Sequence, residues 1–257
     1  METPGPRTGP LPASVELLWG LRGPGGRGPR RGLSLEQIVE AAVVIGDADG
    51  FGAISMSRIA KELGFTTMSL YRYVDTKDTL VALLFDRVLS EPPAIAPGLP
   101  WRAGLEEWAW GQFRSIRRHP WWIDIPLSTP PMGPNQTAWL EAGLRTLADT
   151  PFPEPIRLQL LLNLSLYVMG RMRYVRDMSE AATGDSDYTE VMARVLDPDR
   201  YPALTAALRN QSFDSDEVDW AEADFGFALA RLLDGYDQFL RRFTAAADGA
   251  DDGMASP

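Results

Sequence analysis

Between positions 55 and 77, in SMSRIAKELGFTTMSLYRYVDTK, the chain gathers Thr66, Thr67, Met68, Ser69, Tyr71, Arg72, Tyr73 and Lys77. The chemistry these side chains offer is recognition rather than bond-making. An arginine can donate two parallel hydrogen bonds to guanine O6 and N7, and Met68 or the Thr67 methyl can touch a thymine methyl. Thr66, Thr67 and Ser69 sit at a helix start, where hydroxyls and unpaired amides can hold phosphate. Lys77, opening the following helix, can clamp another phosphate, and Ser57 and Arg58 on the preceding helix complete the candidate set.

Two short helices must position these groups. Met56, Ile59, Ala60 and Leu63 recur at i, i+3, i+4 and i+7, one apolar stripe. Ser55 stands at the N-cap, and Gly64 supplies the left-handed residue that ends such helices. In the second helix Leu70 and Val74 face inward, with Tyr73 as a further inward candidate, and Met68, Ser69, Tyr71 and Arg72 are left outside. This is a helix-turn-helix. The residues alone leave two readings, a face that reads DNA or a hairpin whose outer surface is merely solvated.

Bond-making chemistry lacks its parts. The chain of 257 residues has no cysteine and one histidine, His119, which precedes Pro120 and reads as a helix-ending residue. Thiolate nucleophiles, disulfides, histidine metal sites and a Ser-His-Asp triad are thereby set aside, and no metal or cofactor is expected. No enzyme is indicated, since the acidic pairs Glu106-Glu107 and Asp216-Glu217 read as solvated helix surface. The net charge is −10, but residues 1–90 carry ten basic and ten acidic side chains, so the whole excess lies in 91–257. A neutral end with basic clusters beside an acidic remainder suits a protein that offers one end to DNA. No secretory signal is readable, and the longest apolar run, 156–175, includes Arg157, Gln159, Asn163, Arg171 and Arg173. It is expected to be a buried helix rather than a membrane span, in a cytoplasmic protein.

The expected fold is all-α, a three-helix helix-turn-helix domain followed by a larger helical domain for ligand binding and dimerisation. Residues 1–33 read as a flexible arm in which Arg30 and Arg31 could follow DNA phosphates or stand free in solvent. Within it, 14–21 could form a helical turn or two. Ser34 with Gln37 makes a capping box, and Ile38, Ala41, Ala42 and Ile45 form the stripe of the first sure helix. The DNA-binding domain with its connecting helix spans 34–90. EPPAIAPGLP (91–100) is the boundary, and the second domain runs over 101–244. Its helices are expected at 101–118, 136–148, 155–178 and 217–243, with a weaker region, 188–210, broken by Pro198 and Pro202. Residues 245–257 read as a disordered tail.

The run 33–89, above all LGFTTMSLYRYV followed by KDTL, resembles the N-terminal domain of the TetR family of bacterial transcriptional regulators. Residues 101–178 and 188–243 resemble the ligand-binding portion of tetracycline-repressor-like members more loosely. The resemblance implies a regulator that binds an operator in double-stranded DNA. By residue match, Ser69, Tyr71 and Lys77 would hold the phosphate backbone and Thr67, Met68 and Arg72 would face bases. Tyr73 stands where many relatives have histidine. With Arg72 the only charged reader, base contacts are few.

One such domain reads too few base pairs to find a site alone, so a homodimer is expected. The helices at 155–178 and 217–243, apolar on more than one face, are its candidates. In the resembling family the matching helices of two subunits pair as a four-helix bundle. Trp108, Phe113, Trp122 and Trp139, with the stripe Asn163, Tyr167, Gly170 and Tyr174, form a candidate site for a small-molecule effector. The residues by themselves favour a packed aromatic core; the resemblance implies a site for a flat, largely apolar effector. The combined expectation is a repressor released by its effector, the alternative an effector-independent dimeric regulator or activator.

Overall fold

The structure, a computed structural model, describes residues 9–21, 32–126, 130–181, 188–210 and 220–252. Eleven α-helices and no strand occur among them. Helix α1 is Ala13–Leu18, α2 Leu35–Asp49, α3 Met56–Leu63, α4 Thr67–Tyr71 and α5 Lys77–Leu89. Then come α6 (Trp101–Arg118), α7 (Pro134–Thr146), α8 (Glu154–Ala181), α9 (Tyr188–Val195), α10 (Pro202–Arg209) and α11 (Trp220–Asp252). The chain forms two compact units, 1–172 and 173–257, so the linker 91–100 lies inside the first.

In the first unit, α2 packs on α3 and α5. The α2 stripe is buried, with Ile38 and Ala42 inaccessible to solvent, and so are Ile59, Leu70, Val74, Leu80 and Leu84 of its partners. The Ser34 box forms as expected: its hydroxyl accepts from Gln37 N at 3.1 Å, and the Gln37 side chain accepts from Ser34 N at 2.9 Å. Helix α1 rests against α5, and Trp19 Nε1 donates to Met132 O at 2.7 Å. The second core of this unit lies where α6 meets α7, built from Leu105, Trp108, Phe113, Ile116, Trp139, Leu147, Leu161 and Leu164.

Several boundaries differ from the sequence reading. Helix α7 begins at Pro134, not 136, because proline at the first helical position costs no hydrogen bond. Pro198 and Pro202 do separate α9 from α10. In the second unit, α11 runs on to Asp252 instead of ending at 243, since Ala245–Ala247 are strong helix formers. Its buried stripe is Phe225, Leu229, Leu233 and Tyr236, and Phe239 is exposed.

Candidate nucleic-acid interface

The turn between α3 and α4 is held by local chemistry. Ser55 accepts from Arg58 N at 3.3 Å, and Gly64 takes φ 73°, which a side chain would strain. Thr66 caps α4, its hydroxyl accepting from Ser69 N at 3.3 Å and lying 2.9 Å from Ser69 Oγ. Ser57 Oγ lies 3.2 Å from Ser55 Oγ, and Arg58 is paired with Asp49 at the end of α2. Arg58 must therefore exchange that partner for a phosphate to take part in binding.

Helix α4 is one turn shorter than the sequence suggested. It ends at Tyr71; Tyr73 N and Val74 N both donate to Leu70 O, at 2.9 and 3.0 Å, and Arg72 is its C-terminal cap. Leu70 and Val74 are fully buried, which fixes the outward side: Met68 is 75% exposed, and Tyr71, Arg72 and Tyr73 are exposed with it. Tyr73, both an inward candidate and a member of the DNA-facing set, points outward, because closing the last turn on Leu70 rotates position 73 off the core face. Thr67 is half-buried beside them. Thr76 caps α5, accepting from Thr79 N at 3.0 Å, and leaves Lys77 exposed in the first turn. One end of the first unit therefore presents a guanidinium, two phenols, hydroxyls and an ammonium. Arg30 and Arg31 lie outside the described residues.

Two joints tie this bundle to the helices behind it, one at the surface and one buried. On α2, Asp47 Oδ1 lies 2.7 Å from His119 Nδ1 and accepts from Trp121 Nε1 at 2.7 Å. Gly46 permits this approach, since a Cβ there would lie 2.5 Å from the Trp121 ring. Gly46→Ala is expected to displace Trp121 and cost about 1–3 kcal/mol of stability, measurable by chemical denaturation. On α5, the buried Asp86 accepts from Gln136 N at 3.0 Å, and its main-chain carbonyl accepts from Asn135 Nδ2 at 3.0 Å. Burial raises the Asp86 pKa above 3.8, and hydrogen bonds from the backbone amides of Gln136 and Asn135 to the carboxylate oppose that shift. Phe85 stacks on Trp122, ring centroids 5.0 Å apart.

The eight candidate effector residues do not converge on one point. Trp108 and Trp139 meet edge to face at 5.7 Å; Trp108 Nε1 donates to Trp139 O, and Trp139 Nε1 to Ser90 O at 3.0 Å. Phe113 is inaccessible and meets Trp110, while Trp122 faces Phe85. On α8 the buried stripe is Leu161, Leu164, Val168 and Met172. That stripe turns Asn163, Gly170 and Tyr174 outward, correcting the reading of Asn163 as buried. Tyr167 is half-buried, and burial raises its pKa against the opposing Arg171 charge.

Gln112 Oε1 and Trp122 Nε1, an acceptor and a donor, are buried without a partner. Gln112 Nε2 donates to Ser165 Oγ at 2.9 Å. The sequence reading passed over Gln112, although its place at i+4 from Trp108 puts it on the buried face of α6.

Comparison with known proteins agrees with this geometry. Residues 38–84 match the family model for bacterial regulatory proteins of the tetR family, and 94–240 match the tetracyclin repressor-like C-terminal domain. The HTH-type transcriptional repressor DrrR1 of Streptomyces coeruleorubidus is 37% identical over 238 residues, 89% of this chain and 86% of that one. The tetracycline repressor protein class E of Escherichia coli is 26% identical over 84% of this chain and 98% of its own. ActR of Streptomyces coelicolor, solved in complex with actinorhodin, superposes with a TM-score of 0.66 at 25% identity, covering 80% of this chain and 96% of ActR. The chain belongs to the TetR family of bacterial transcriptional regulators. It is a DNA-binding helix-turn-helix regulator, not an enzyme. No helix among the described residues is long and apolar enough to cross a membrane.

Proposed function

We propose that this protein is a repressor that holds a palindromic operator as a homodimer and is released by a small, largely apolar or aromatic effector. In this reading 34–90 bind DNA, 101–244 bind effector and a second copy, and Arg30 and Arg31 of the 1–33 arm follow phosphates. The observation that carries it is the outer face of α4, Met68, Tyr71, Arg72 and Tyr73 standing in solvent over buried Leu70 and Val74. Arg72 takes a guanine, so Arg72→Ala should relax preference at one base pair per half-site and cost about 1–3 kcal/mol. A panel of single-base operator variants checks this; the same ranking for both proteins would remove Arg72 from the readout.

Dimerisation through 155–178 and 217–243 is supported by apolar side chains left in solvent. On α8, Leu158, Leu162 and Leu166 recur at i, i+4 and i+8, the last 61% exposed; on α11, Phe227 is 67% exposed. A second copy would cover them.

An effector site among α6, α7 and α8 is supported by Gln112 Oε1, a buried acceptor on α6 that a bound molecule could satisfy. ActR binds actinorhodin and (S)-DNPA, and actinorhodin is a first probe for this chain. Gln112→Leu should weaken a saturating effector response by roughly tenfold, the worth of about one hydrogen bond to a buried group. Tryptophan fluorescence follows that titration. Occupancy would act through the Asp47 and Asp86 joints, moving the two reading heads away from the spacing of about 34 Å that one helical turn demands. A hundredfold release needs only about 2.7 kcal/mol of differential affinity. The close packing of Trp108, Phe113 and Trp139 favours the alternative, an effector-independent dimeric regulator, on which operator affinity is indifferent to every ligand tried.

A further inference from the structure

A cleft of about 490 Å³ opens on the outer side of α6, lined by Arg114, Arg117 and Arg118 together with Gly111, Trp139 and, from the linker, Glu91 and Pro93. The three arginines stand at i, i+3 and i+4, which places them on one helical face. Gly111 gives the cleft its shape: a Cβ there would lie 2.8 Å from Pro93 and 3.2 Å from the Trp139 ring. We propose that this cleft binds a small oxyanion-bearing molecule, a carboxylate or a phosphate, on the outer side of α6.

Charge argues for it. The lining carries three guanidinium groups against one carboxylate, in a chain whose net charge is −10. Two arginines, Arg117 and Arg118, would suffice to balance the C-terminal dipole of α6; Arg114 lies a turn further in. Guanidinium forks match planar oxyanions; Arg117 also lies over the Phe113 ring, 5.7 Å from its centroid, and Arg118 also donates to Ser90 Oγ at 3.0 Å. Glu91 supplies an acceptor for a hydroxyl on the same ligand. DNA phosphate is not the occupant. Helix α5 has thirteen residues and so separates Lys77, at the DNA end, from Ser90 by roughly 20 Å.

The site also sits on a joint. Ser90 holds φ 55°, a left-handed backbone that a serine rarely adopts. It is held there by Arg118 on its hydroxyl and by Trp139 Nε1 on its carbonyl, while Ser115 Oγ donates to Leu89 O at 3.0 Å. An anion that draws on Arg118 acts directly on the end of the helix whose other end carries Lys77.

Isothermal titration of the full chain with inorganic phosphate, and separately with citrate, at ionic strength matched by chloride, tests the site. Saturable binding in either arm, weakened at least tenfold in R114Q/R117Q of unchanged melting temperature, is expected; the responding arm names the anion class. Slower hydrogen exchange at 86–90 and 114–118 in the anion-bound wild-type chain is the second expected result, independent of any variant. No saturable heat in either arm, or equal binding by R114Q/R117Q, overturns the proposal. Neither measurement contains DNA or an aromatic effector, so failure here leaves the repressor reading untouched.

Discussion

Leu166→Glu is expected to turn the proposed dimer into a monomer. Leu166 is 61% exposed in a single chain, so the substitution costs the isolated subunit little, whereas in the dimer it places a carboxylate from each copy in an apolar seam. An unpaired charge buried in this way costs several kcal/mol, and about 3 kcal/mol already weakens association more than a hundredfold. Because one reading head contacts too few base pairs, operator affinity falls with the dimer. Sedimentation velocity at micromolar concentration reads the outcome: a species of twice 28.4 kDa for the parent chain and of 28.4 kDa for the variant. A parent chain that is monomeric at that concentration contradicts the proposed interface.

Asp86→Ala is expected to destabilise the first unit. The carboxylate satisfies the Gln136 amide at the start of α7, and Gly133 fits against it so closely that a Cβ there would overlap the carboxylate. Removing the side chain strands a buried N–H, at about 1–3 kcal/mol, and opens a void beside it. Gly133→Ala attacks the same joint from the other side, and both should lower the melting temperature. They should also blunt the transfer of effector binding to DNA, since this joint links α5 to α7 behind it.

The pH dependence has a definite sign. The folded state holds the Asp86 proton to a higher pH than the unfolded chain, so this group's stabilising contribution is full below 3.8 and declines as pH rises through the raised value. Asp86→Asn keeps an acceptor oxygen and removes the charge. It should lose that decline, which unfolding curves collected between acid and neutral pH will show.

Helix-turn-helix chemistry was readable in the sequence because it is local: caps at Ser55 and Thr66, the left-handed Gly64, and a stripe too narrow to bury Met68 or Arg72. The length of α4 was not, because its end is set by how Tyr73 and Val74 close onto Leu70. Legibility fell where long-range packing decides. Nothing local distinguishes Asp86 from the other acidic residues of a helix surface until α7 arrives above it. Asn163 looked internal on an apolar run, yet the neighbours of α8 select Leu161, Leu164 and Val168 for burial instead. The aromatic count of α6 and α7 was plain, but whether those rings line a site or fill a core depends on partners that the pattern does not reveal, which is why Gln112 went unmarked.

The central claim is that the face carrying Met68, Tyr71, Arg72 and Tyr73 reads a specific operator. Fluorescence anisotropy with duplexes tiled across the DNA flanking the protein's own gene tests it most directly. One duplex bearing an inverted repeat should bind at least about a thousandfold more tightly than scrambled sequence at the same salt, with affinity falling as salt rises. Equal, weak binding to every duplex, unchanged by Arg72→Ala, would contradict the account.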